Sequence, residues 1–151
     1  MIENTKAPDF KITLVDGTET MLSECLKTQS VIVHFFPKAF TGTCKEELCS
    51  IRDDFNERTH PELLVVAVSC DTKEDLAKWI KEENFGLAYA SDFEPRGQIA
   101  RSFDAMNSDL NIADRKTFLV KRDGTIAWTY GTEVGSARDI EEYRKALSLL
   151  A

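Results

Sequence analysis

The sequence has no Cys-x-x-Cys pair, no His-x-x-x-His pair, no surplus of basic residues and no long apolar run. Each absence removes a class of function. Structural zinc sites take their ligands in close pairs, so Cys44, Cys49, Cys70, His34 and His60 are not read as a metal set. With 19 Lys and Arg against 26 Asp and Glu, the formal net charge is -7. Phosphate backbones demand clustered basic residues, so no nucleic-acid partner is expected. No stretch approaches the ~20 apolar residues that span a bilayer, so no membrane segment is expected either. The start, Met1-Ile-Glu-Asn-Thr-Lys, lacks the basic region, apolar stretch and small-residue cleavage site of a secretory signal. A cytoplasmic protein is the expectation, with its four cysteines reduced, catalytic or buried in that reducing setting. Repeats, low-complexity tracts and Pro/Gly-rich linkers are also missing, which predicts one domain over residues 1–151.

What is present is a regular alternation of short apolar runs and helical stripes. Ile12 to Val15, Asp16-Gly17 and Thr18 to Leu22 read as a β-hairpin, because Asp-Gly supplies the positive φ of a tight turn. Val31 to Phe36 is a continuous β-branched and aromatic run, suited to a strand buried on both faces, and Pro37 ends it. From Thr41 to Arg58 the apolar positions Leu48, Ile51 and Phe55 fall at helical spacing, and Cys44 lies on the same stripe in the first turn. Leu63 to Val68 reads as a second buried strand, and Thr72 with Asp75 as the capping pair of a helix through Ala77 and Ile80. A βαβ unit with a parallel strand pair follows. Pro95 is expected to open a short helix ending near Phe103, and Thr117 to Thr129 around Asp123-Gly124 reads as another hairpin. Ala137 to Leu150 is expected to be a last helix. The fold class is α/β, a mixed central sheet flanked by helices with an N-terminal β-hairpin, and a thioredoxin-like arrangement fits this order.

The informative segment is Phe36-Pro37-Lys38-Ala39-Phe40-Thr41-Gly42-Thr43-Cys44, a buried strand, a loop, then a cysteine in the first turn of a helix. Taken alone, a cysteine on an apolar stripe is a packing residue. A helix N-terminus changes that: its partial positive charge and free amides favour the thiolate, which is the nucleophilic form of a thiol.

Pro-x-x-x-Thr-x-x-Cys after a hydrophobic strand resembles the signature of the peroxiredoxins, here as Pro37, Thr41 and Cys44. The resemblance extends over the chain, from Ala7-Pro8-Asp9-Phe10 to Val65-Val66-Ala67-Val68-Ser69 and the Asp71 turn. It is similar to two single-domain bacterial groups, the alkyl hydroperoxide reductase E group and the bacterioferritin-comigratory (Q) group. The resemblance implies that Cys44 is the peroxidatic cysteine, that Thr41 hydrogen-bonds its sulfur and the peroxide, and that Pro37 shields the site from water. It also implies an arginine ahead of a late strand, which Arg115 supplies; Arg101 is the rival, with a surface role expected. The implied activity is thiol-dependent reduction of hydrogen peroxide or organic hydroperoxides through a Cys44 sulfenic acid, with no metal or organic cofactor. The implied reductant is thioredoxin, a glutaredoxin-like protein or a low-molecular-weight thiol.

Cys49 follows Cys44 by five positions, the spacing at which Q-type members carry a resolving cysteine. Helix geometry puts Cα atoms five apart about 8.7 Å from one another and about 140° apart in direction. A disulfide wants roughly 4.4 to 6.8 Å. An intramolecular Cys44–Cys49 disulfide therefore requires local unwinding; the alternative is that Cys49 is a bystander and an outside thiol reduces Cys44. Cys25 is read as incidental, Cys70 as packing, and His34 as a hydrogen-bonded core histidine. Phe40 and Phe93 either line a dimer face or accept an alkyl chain, leaving monomer and homodimer both open. A non-catalytic redox sensor or binding module on the same fold is the competing function.

Overall fold

The computed structural model describes residues 3–56 and 59–150, without the side chain of Leu150. The Met1-Ile2 start of the N-terminal segment and the expected helix end at Arg58 lie outside the described residues.

Strands β1 (Lys11–Thr13) and β2 (Glu19–Met21) form the first hairpin. Its turn is fixed by Gly17 at φ 89° and by the Asp16 carboxylate, which accepts the Thr18 amide. A short helix α1 (Leu22–Cys25) leads to β3 (Ser30–Phe35), every residue of which is buried. Then come helix α2 (Gly42–Asp54), strand β4 (Leu63–Ser69), helix α3 (Lys73–Glu82) and strand β5 (Ala88–Ser91). Helix α4 (Gln98–Ser102) precedes a small ribbon of β6 (Met106–Asn107) and β7 (Ile112–Ala113). The chain closes with β8 (Arg115–Val120), β9 (Ile126–Thr132), α5 (Ile140–Ala146) and a 3₁₀ turn over Leu147–Leu150.

Seven strands make one sheet in the order β2-β1-β5-β4-β3-β8-β9. The β3–β4 and β4–β5 pairs are parallel, as helical crossovers require, whereas β1–β5, β3–β8 and β8–β9 are antiparallel. The mixed sheet predicted from the run of elements is thus present. β3 feeds two cores, as its unbroken apolar run requires. Val31, Val33 and Phe35 face a cluster with Phe10, Phe103 and Phe118, while Ile32 and Phe36 face one containing Leu48, Ile51, Trp79 and Tyr143.

The structure departs from the sequence reading in several places: Leu22, expected to end the hairpin, starts α1, the β6–β7 ribbon is an addition, and two helix starts and strand β5 also differ. The short helix begins after Gly97, not at Pro95, because both carboxylate oxygens of buried Asp92 receive first-turn amides, Ile99 and Ala100, at 2.8 Å. The last helix begins at Ile140, where Asp139 accepts the Glu141 amide as its cap. Strand β5 went unread, since Ala-Tyr-Ala-Ser carries little strand propensity. It is a strand because β4 and β1 pair with it on both sides.

Candidate active site

Cys44 lies in the first turn of α2, directly beyond the carboxyl end of β3, and is fully buried. The register of β8 on β3 sets His34 opposite Thr117. Alternation along a strand then puts Arg115 on the face that carries Thr117, at the end of β8 nearest the loop before α2. There the Arg115 guanidinium donates from Nη1 to Cys44 Sγ at 3.4 Å and to Glu47 Oε1 at 2.5 Å, while its Nε donates to the Val134 carbonyl. Arg101, the rival, is exposed and donates to the Arg96 carbonyl.

Behind this contact stands a polar cluster that sequence reasoning missed. Glu47 accepts from Arg138 through the backbone amide at 2.9 Å, Nε at 2.7 Å and Nη2 at 2.9 Å. Burial alone would raise the Glu47 carboxyl, but the hydrogen bonds and charge of Arg138 overcome it and bring the group down to about 2. Arg138 also donates to Thr117 Oγ1 and to His34 Nε2. Because a guanidinium only donates, His34 Nε2 must carry a lone pair, which places the ring proton on Nδ1, 2.6 Å from the Tyr143 hydroxyl. Burial and the nearby Arg138 charge push His34 well below its ordinary value, so the ring is neutral. Burial pushes Tyr143 up to about 12. The expected hydrogen-bonded core role of His34 is what the structure has.

The charges of this cluster do not cancel. Arg115 and Arg138 supply two positive charges and Glu47 one negative, all three nearly inaccessible to water. Isolated charge in such a setting is costly. Cys44 Sγ is the atom that this excess positive charge faces, through Arg115 Nη1.

The loop ahead of Cys44 departs from expectation at Thr41. Its hydroxyl donates to the Lys38 carbonyl at 2.8 Å rather than to the sulfur. Lys38 O lies inside a turn with no strand to pair it, and the threonine three residues on satisfies it. The consequence is that α2 has no side-chain cap at Thr41, so its first-turn amides face the site unclaimed by a capping side chain. Pro37 is buried beside this loop.

A family model for the AhpC/TSA family matches residues 4–129. The chain belongs to that family. This peroxiredoxin is 31% identical over 144 residues to alkyl hydroperoxide reductase E of Mycobacterium tuberculosis H37Rv, covering 95% of this chain and 94% of the relative. It is 34% identical over 113 residues to alkyl hydroperoxide reductase C of Escherichia coli K12, covering 74% of this chain and 60% of that one. The reduced 2-Cys peroxiredoxin of Plasmodium vivax shares the fold, with a TM-score of 0.85 at 18% identity over 97% of this chain and 80% of that chain. The thioredoxin-like fold expected from the order of elements and the thiol-dependent peroxidase implied by the signature are borne out.

The remaining thiols of this peroxiredoxin divide by setting. Cys25 and Cys70 are buried, and burial raises both, Cys70 to about 11. Cys49 is half-buried on an unbroken α2, between the cations Lys45, one turn before it, and Arg52, three residues after. Glu47 carried one sequence signal, a charged residue three positions after Cys44 among stripe positions that are otherwise apolar. Arg138 carried none, since only the fold brings it to a residue 91 positions away.

Proposed function

We propose that Cys44 is the peroxidatic nucleophile, Arg115 the cation that holds its sulfur and the developing charge, Thr41 a hydrogen-bond partner of the peroxide and Pro37 a shield against water. The observation that carries this is the 3.4 Å contact of Arg115 with Cys44 Sγ inside a buried cluster with one positive charge in excess. The thiolate attacks the terminal oxygen of ROOH in line, the O–O bond breaks, and RO⁻ departs and takes a proton as ROH, leaving Cys44-SOH. The departing oxygen gains negative charge, which Arg115 and the uncapped amides of α2 are placed to stabilise. Thr41 already donates to Lys38, so its oxygen offers a lone pair to the peroxide O–H.

Cys49 then attacks the sulfenic sulfur, giving the Cys44–Cys49 disulfide and water. Support comes from the cationic flanks of Cys49 and from the spacing. Because α2 is continuous over Gly42–Asp54, its first turns must open for that bond to form. A thiol reductant, thioredoxin or a low-molecular-weight thiol, restores both cysteines. Hydrogen peroxide and organic hydroperoxides are the substrates, the setting is cytoplasmic, one domain carries the activity, and the chain works as a monomer or homodimer.

The test is stopped-flow fluorescence of Trp79 and Trp128 on mixing reduced protein with hydrogen peroxide, beside Cys44→Ser and Cys49→Ser. A fast phase lost in Cys44→Ser, with sulfenic acid trapped in Cys49→Ser, is expected. Peptide mapping that finds no Cys44–Cys49 disulfide after peroxide treatment would sink the resolving step alone.

A further inference from the structure

The loop from Pro37 to Phe40 positions the peroxide site and is packed, with Pro37 and Ala39 buried and the Phe40 ring 6.0 Å from that of Trp79, but few hydrogen bonds set its backbone. Pro37 has no amide hydrogen to give, and the Lys38 carbonyl is satisfied by Thr41 within the same turn. Phe40 is 52% exposed and sits at φ 63°, in the left-handed region that a residue with a Cβ occupies only when its surroundings impose it. Among the described residues, one hydrogen bond ties residues 37–40 to another element: the Ala39 amide donates to Asp71 Oδ2 at 2.7 Å.

Asp71 is itself anchored at the carboxyl end of β4. Its Oδ2 also accepts from the hydroxyl of fully buried Ser69 at 2.7 Å, and its backbone carbonyl accepts from Ser91 Oγ at 2.6 Å. Asp71 thus joins the loop after β3 to the end of β4 through its carboxylate and to the end of β5 through its backbone carbonyl, the three strands being consecutive in the parallel part of the sheet. We infer that Asp71 is a positioning residue of the peroxidase reaction, the latch that fixes the Pro37–Phe40 loop so that Thr41 and the first turn of α2 meet the peroxide in reactive geometry. It touches no reacting atom and acts through the Ala39 amide. This rests on Cys44 being the nucleophile, and the test separates the two claims.

Both donors converge on the single oxygen Oδ2, which gives the inference its sharpest check. An asparagine amide oxygen in the same place accepts both hydrogen bonds without the charge, whereas alanine accepts neither. The experiment uses full-length protein with Cys49→Ser throughout, so that only the first oxidation is observed. It compares Asp71→Ala, Asp71→Asn and Asp71 in two reactions of Cys44: oxidation by hydrogen peroxide, and alkylation by iodoacetamide mapped to Cys44 by mass. Alkylation needs an accessible thiol but no peroxide geometry.

A displacement of order 1 Å at a reacting centre is worth up to about 100-fold, so Asp71→Ala is expected to oxidise about 10- to 100-fold more slowly. Its alkylation is expected to hold or quicken as the buried thiol becomes accessible, and Asp71→Asn to recover oxidation to within about threefold of the parent, since the hydrogen bonds and not the charge do the positioning. Oxidation of Asp71→Ala at the parent rate, failure of Asp71→Asn to recover, or a parallel fall of both reactions would each overturn the latch. Absence of peroxide-driven oxidation at Cys44 in the parent would instead remove the nucleophile assignment beneath it.

Discussion

Helices α2 and α3 each begin on a threonine with extended backbone, just beyond the carboxyl end of a parallel strand, Thr41 after β3 and Thr72 after β4. From the same start they diverge. Thr72 Oγ1 accepts the Asp75 amide at 3.1 Å, and Glu74 and Asp75 set negative charge in the first turn, where the helix dipole favours it. Thr41 turns its hydroxyl away to Lys38, and the first turn of α2 holds no acid, only Gly42, Thr43 and Cys44. One N-terminus is closed for stability. The other is left with free amides and the field of the dipole directed at a sulfur, which is what an incoming peroxide needs.

The comparison breaks most severely if the cation facing the open N-terminus is removed. Arg115→Gln takes away the donor on Cys44 Sγ, and loss of a comparable transition-state donor lowers turnover by about 10²- to 10³-fold. Pre-steady-state oxidation with hydrogen peroxide should show that drop, while Arg101→Gln, altering an exposed side chain, should match the parent. Equal losses in the two variants would mean that the field is not local to Arg115.

The paired threonines give the next contrast. Thr41→Val is expected to slow peroxide oxidation about 10- to 100-fold, in the range by which a positioned hydrogen-bonding group assists. Thr72→Ala is expected to leave the rate alone and to cost about 1 kcal/mol in a urea unfolding curve, the usual loss of an N-cap. A rate effect at Thr72 that equals the one at Thr41 would erase the distinction between the two helix starts.

That distinction was only half legible in the sequence. The buried strands, the βαβ unit and the Asp-Gly hairpins follow from local pattern, because periodicity and turn chemistry act over a few residues. Cys44 could be placed in a first turn for the same reason, whereas Arg115 followed only from the family resemblance, which implies an arginine ahead of a late strand. The direction of the Thr41 hydroxyl could not, since a threonine at a helix start reads as a cap whether or not it caps. The enclosure of Arg138 and Glu47 could not either, since it is β3, β8 and the loop before α5, distant in sequence, that enclose them.

The buried cluster behind α2 also sets a pH dependence that the capped α3 lacks. His34 is held below its ordinary 6.5 by burial and Arg138, so on acidification the unfolded chain takes up that proton first. Stability is full above pH 6.5 and declines as pH falls below it. Glu47 adds a second decline: its carboxyl lies at about 2 against an ordinary 4.5, so its contribution is present above 4.5 and is lost between there and about 2. Urea midpoints from pH 8 to pH 3 should bend at both places. In His34→Gln the upper bend should vanish and the lower remain; if the upper bend survives, another group titrates there.

The smallest expected effect is the most direct test of why α2 begins as it does. Thr43→Glu would give α2 the first-turn acid that α3 already has. Interaction with the helix dipole should stabilise the fold by about 0.3 to 1 kcal/mol, visible as a modest rise in thermal midpoint. The same carboxylate would meet the thiolate and the oxygen departing from the peroxide with like charge, so oxidation of Cys44 should slow by several-fold. It should slow less as salt is raised, because screening acts on partly exposed charges. A gain in stability with no loss of rate would show that the open N-terminus contributes nothing to the chemistry. Stability gained together with rate lost would show that the first turn of α2 is kept free of negative charge because the reaction brings its own.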